Sequence, residues 1–149
     1  MSDRDLIVCA ARGGRGSRAV QLEAIRVARE RNARLVFLYV VDINALGEMD
    51  DSLVPAVRAE LEWLGKALMH VARQRAQQAN IEVDVAVREG SVREEISRYV
   101  RQSGASLLLV GAPHATAGHS GDEAASRFAR TLEEETGVQV LLVYPQAVP

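Results

Sequence analysis

Three things are missing from this sequence, and each removes a class of function. The 149 residues carry 18 basic and 20 acidic side chains, a formal charge of -2, so there is no cationic excess to grip a phosphate backbone. Nucleic acid is therefore not an expected partner. Cys9 is the lone cysteine, which rules out an internal disulfide; within the apolar run LIVCAA it reads as a buried structural thiol, and the compartment as reducing. No apolar stretch approaches the roughly 20 residues of a membrane span, and the opening MSDRDLIVCA has neither the apolar length nor the small-residue cleavage site of a signal peptide. A cytoplasmic protein with no membrane partner is expected. Aromatic residues are scarce at 4%, yet the 48% apolar total is enough for a core built of Val, Leu, Ile and Ala in a chain of one-domain length.

What is present is alternation on the scale of whole elements. Continuous apolar runs at Leu6 to Ala11, Arg34 to Val41, Ser106 to Gly111 and Val138 to Tyr144 fit strands covered on both faces, as in a parallel sheet between helix layers. A fifth run, IEVDVAV from Ile81 to Val87, alternates apolar and polar, the pattern of a half-exposed strand at a sheet edge. Between the runs lie helical patterns. Val20, Ala24, Val27 and Ala28 share one face of a first helix, and Ala124, Ala125, Phe128, Ala129 and Leu132 one face of the last. The second helix spaces Val54, Val57, Leu61, Leu64, Leu68 and Val71 at steps of three and four, which predicts a seam packed on the sheet, with Trp63 and Met69 at its edge. SVRE (Ser91 to Glu94) and SGDE (Ser120 to Glu123) read as capping boxes, and Gly104 and Gly137 as helix C-caps. The segment Asp42 to Ser52 reads as a loop over the sheet edge. Strand and helix alternate throughout, which predicts a single α/β domain with right-handed crossovers.

The segments LYVVD (Leu38 to Asp42), REGSVREEISRYV (Arg88 to Val100), ASLLLVGAPH (Ala105 to His114) and VQVLLVYP (Val138 to Pro145), in this order and spacing, resemble the universal stress protein family of the adenine-nucleotide-binding α/β superfamily. The resemblance implies a five-stranded parallel sheet of order 3-2-1-4-5 with helices on both faces. It also implies a homodimer paired through the last strand, Val138 to Tyr144, whose apolar edge would otherwise be exposed. Adenine would lie near Val41 and Asp42, with phosphate toward two glycine-bearing loops.

Those loops, ARGGRGSR (Ala11 to Arg18) and GAPHATAGHSG (Gly111 to Gly121), leave the two strands that flank the crevice of such a sheet. The family's ATP motif is glycine, two residues, glycine, nine residues, then glycine and serine or threonine. Counted from Gly111, His114 replaces its second glycine, and Ala124 and Ala125 its final pair. The motif is degenerate, and Ala11, Arg12 and Gly13 stand where relatives often carry an aspartate. An anion can still be held by the backbone around Gly13, Gly14 and Gly16, by Arg12 and Arg15 beside Ser17, or by amides near Gly118, Ser120 and Gly121 at the positive end of the last helix. The candidate cofactor is thus ATP or AMP, or another small phosphorylated ligand, in a non-catalytic stress-response or regulatory module. Two alternatives remain open. One is a purely structural or protein-interaction dimer with a vestigial pocket closed by Arg12 and His114. The other is a dinucleotide-binding domain, suggested by GRGSRA (Gly14 to Ala19) with Asp42 as the ribose-binding acid. His114 and His119 lack a third ligand of suitable spacing for a metal, and no serine or cysteine nucleophile has a histidine base nearby, so no enzyme activity is expected.

Overall fold

The computed structural model describes residues 5–11, 16–112 and 120–144. Its strands are β1 (Leu6–Ala11), β2 (Arg34–Val41), β3 (Val83–Glu89), β4 (Leu107–Gly111) and β5 (Gln139–Val143), and its helices α1 (Gly16–Arg31), α2 (Val54–Gln78), α3 (Val92–Ser103) and α4 (Ser120–Thr136). The strands form one sheet of order β3-β2-β1-β4-β5, and every pairing is parallel. The expected architecture is the one found.

Strand geometry explains how continuous apolar runs fill two layers. Successive side chains point to opposite faces, so Ile7, Cys9, Leu35, Phe37, Leu107 and Leu109 join one core beneath α1 and α2. Leu6, Val8, Val36, Leu38, Leu108 and Val110 join a second core beneath α3 and α4. Strand β3 sits at the edge as its alternation predicts, with Val83, Val85 and Val87 turned to the first core and Asp84 exposed. Gly104 and Gly137, both at φ +72°, end α3 and lead out of α4 in the left-handed conformation.

The second helix corrects the expected seam. Its buried residues are Gly65, Met69, Ala72 and Ala76, whereas Leu64 and Val71 are 42% and 43% exposed and Trp63 is 68% exposed. Of the expected face Leu61 and Leu68 do pack against the first core, but the fully buried line of the helix is Gly65, Met69, Ala72 and Ala76, and Gly65 lets the helix lie close to the aromatic ring of Tyr39. Met69 is at the centre of the core rather than at its edge. Two smaller corrections follow the same logic. Ala124 is exposed on α4, one position off the face set by Ala125, Ala129 and Leu132. Ser91 occupies the N-cap position of α3 without a side-chain capping bond. There Glu94 and Glu95 lie in the first turn, where a negative charge complements the positive helix end. The Asp42 to Ser52 segment is more ordered than a plain loop, with single 3-10 turns at Ile43–Leu46 and Asp51–Leu53.

Cys9 is fully buried and its thiol contacts the carbonyl of Val20. Burial pushes its pKa well above the usual thiol range. The native thiol therefore stays protonated while the unfolded one ionises near about pH 8.5, so Cys9 favours the fold below that pH and progressively disfavours it above. At pH 8 a disulfide reagent should label none of the folded protein and all of it in denaturant. The corrected helix face gives a second expectation. Met69→Ala should cost about 2–5 kcal/mol in urea unfolding, as large-to-small core changes do, while Leu64→Ala should cost less than about 1 kcal/mol.

Candidate functional site

In an open parallel sheet the crossovers change direction between two central strands, and the crevice opens beyond the carboxyl ends of those strands. Here the switch lies between β1 and β4. A cavity of about 210 Å³ occupies that end of the sheet. Among the described residues its floor is made by Ala10 of β1, Leu38 to Val41 of β2, and Val110 and Gly111 of β4. Leu61 of α2, Val92 and Ile96 of α3, and Phe128 of α4 form its walls, and Ala45 and Leu46 of the first 3-10 turn stand at its margin. The volume is below the roughly 300–1,000 Å³ of pockets that enclose whole drug-sized ligands. It suits one ring system whose substituents project outward.

Asp42 is the one ionisable carboxylate among these walls. It follows β2 in an extended conformation, caps the 3-10 turn by accepting a hydrogen bond from Ala45 N at 3.3 Å, and also lines a wider, more polar depression of about 760 Å³. That second depression is bounded by Glu48, Asp51, Arg58, Glu89 and Gly90. Arg58 is paired with Glu89 at 2.6 Å. Its rim is therefore acidic.

Two backbone bonds tie the carboxyl ends of the strands into one floor. Gly90 N donates to Val41 O at 2.9 Å, and Ala112 N donates to Val143 O at 2.7 Å. Gly90 makes its bond at φ +146°, and a Cβ built on it would stand 2.9 Å from Glu95 Cγ. Glu95 is itself buried and is ion-paired with Arg98. The turn from β3 into α3 therefore needs glycine both for backbone conformation and for space.

Of the residues expected at the site, Val41, Asp42 and Gly111 line the one cavity. Ala11 ends β1, Gly16 and Ser17 open α1, and Ser120 and Gly121 open α4, so the N-termini of both helices follow the two crevice strands. Arg12, Gly13, Gly14, Arg15, His114 and Gly118 lie outside the described residues. Sequence reasoning missed the walls. Val92, Ile96 and Val100 recur every four residues along α3, a signal legible in the sequence, and the sequence pattern places Phe128 on the apolar face of the last helix without marking it as a wall. Among the described residues no group of three or more His, Cys, Asp or Glu is placed to hold a metal ion, and no described helix is long and apolar enough to cross a membrane.

With this geometry in hand, the chain can be set beside known proteins. The profile of the Universal stress protein family matches residues 3–121, and the chain belongs to that family. No curated protein sequence matches it. Among solved structures, the universal stress protein UspA of Lactobacillus plantarum superposes with a TM-score of 0.72 at 20% identity, over 95% of this chain and 99% of that one. A universal stress protein family member from Burkholderia pseudomallei is 27% identical, with a TM-score of 0.63 over 95% and 96% of the two chains. A universal stress protein family protein of Arabidopsis thaliana with AMP bound is 13% identical, with a TM-score of 0.63 over 96% and 93%.

The turn that closes the floor should tolerate no side chain. Gly90→Ala is expected to destabilise the fold by about 1–3 kcal/mol through strain at positive φ, read as a lowered urea midpoint at unchanged slope.

Proposed function

We propose that this protein is a single-domain, non-catalytic regulatory module of the cytoplasm that binds AMP, ATP or another small phosphorylated molecule, with the base in the apolar cavity. The observation that carries the reading is the convergence of Val41, Asp42 and Gly111 on one cavity at the carboxyl ends of β2 and β4. Apolar walls favour the faces of a heterocycle, and Asp42 offers acceptor oxygens at the margin for a ring amine or a hydroxyl. The phosphate then points outward, toward the loops after β1 and β4 and the starts of α1 and α4, whose positive ends favour an anion by about 0.3–1 kcal/mol each. AMP bound to the Arabidopsis relative supports the ligand class. The degenerate glycine motif argues for modest affinity.

We also propose that two copies pair through β5. Its outer edge carries partly exposed Leu141, Leu142 and Val143, and Tyr144 is 48% exposed. An uncharged apolar edge of this kind favours strand addition.

Isothermal titration of AMP and Mg-ATP into protein stripped of carried-over nucleotide tests the binding reading. Saturable heat with an affinity in the micromolar range is expected. Val92→Trp, which places an indole at the cavity wall, should abolish that heat while leaving the circular dichroism spectrum native. Absence of heat up to millimolar nucleotide would overturn the reading.

A further inference from the structure

Gly65 stands in the middle of α2, facing the sheet. A Cβ built there would lie 2.7 Å from Tyr39 Cδ1 and 2.9 Å from Tyr39 Cε1. These are atoms of an aromatic ring, which cannot flex aside as the end of a long side chain does, so the ring would have to swing as a whole. Tyr39 is buried and belongs to the first core, where close packing leaves it little room. One side is open. Tyr39 also lines the cavity, next to Leu61, which lies one turn before Gly65 on the same helix.

We propose that Gly65 is a positioning residue for the ligand cavity. Its bare backbone lets the Tyr39 ring rest against α2 and keeps open the space a heterocycle would fill, and any side chain at position 65 drives the ring into that space. The inference rests on the reading of the cavity as a nucleotide site, and it extends the determinants of binding to a residue outside the strand ends and glycine loops. The size of ring that the cavity accepts is set from behind its wall.

The experiment is a double-mutant cycle. AMP is titrated into wild type, Gly65→Ala, Tyr39→Leu and the double variant, with unfolding by urea and aromatic-ring NMR followed on each. Gly65→Ala should bind AMP at least about tenfold more weakly, and in the Tyr39→Leu background the same alanine should change affinity by less than about twofold, a coupling typical of residues in contact. Equal losses in the two backgrounds, or no loss from Gly65→Ala, would overturn the proposal. Should Gly65→Ala fail to fold, the double variant must fold, and failure of both would place the defect elsewhere than the ring. If wild type gives no heat with AMP, the nucleotide reading falls while the Gly65 inference is decided by the ring resonances. Gly65→Ala must move those of Tyr39, and unmoved resonances refute it.

Discussion

The pairing of β1 with β2 on one side and β4 on the other is the constraint on which the rest of the molecule depends. Because β1 is central and every strand is parallel, each crossover must carry a helix back across a face, and the change in crossover direction falls between β1 and β4. Two consequences follow from that single arrangement. The strands are buried on both faces, so β1, β4 and β2 beyond Arg34 are apolar along their length rather than at alternate positions. Beyond their carboxyl ends the cavity opens, walled among the described residues by α2, α3 and α4.

That dependence explains what was legible in the sequence. Strand runs were visible because burial on both faces leaves little compositional freedom; Leu35 to Leu38 have no solvated side to advertise, and β3 betrayed its edge position through Glu82 and Asp84. Val41 and Asp42, expected through the family resemblance, and Gly111, at the end of an apolar run, line the cavity. The face of α2 was not legible. Helix periodicity reports the large apolar residues, and on α2 Leu64 and Val71 are exposed while Gly65, Ala72 and Ala76 are buried beside Met69. Gly65, Met69, Ala72 and Ala76 do recur at steps of four, three and four, but glycine and alanine are weakly apolar, so a line made largely of them is outweighed by a neighbouring line of leucine and valine. The cavity walls escaped for a related reason. Ile96 and Phe128 pack as core residues do, and their position at the sheet's end emerges only once the helices are placed.

The loop after β2 shows how one residue can serve structure and site together. Asp42 spends one carboxylate oxygen on the amide of Ala45, which starts the 3-10 turn and sets Leu46 at the cavity margin. A residue that only capped the turn could be Ser, Thr or Asn. Asp42 also lines both the apolar cavity and the acidic depression, so its carboxylate stands at the boundary between them. Under the proposed reading, a phosphorylated ligand would sit with its ring inward and its charge directed away from Glu48, Asp51 and Glu89.

The two sheet edges face the same problem and answer it differently. Unpaired backbone groups along an edge invite another strand, and charges at the edge discourage it. On β3, Asp84, Arg88 and Glu89 are exposed along the strand, and Arg88 also lies over the ring of Tyr99 at 5.1 Å, so that edge is solvated and guarded. On β5, Gln139 is the one polar residue between its ends, and the remaining positions are Val and Leu. Leu141 and Val143 pack against the first core and Val140 and Leu142 against the second, so both faces of the strand are engaged while no charge guards its backbone edge. The asymmetry accords with the proposed pairing through β5, in which a second copy of the strand would supply an edge of the same chemistry while β3 stays free.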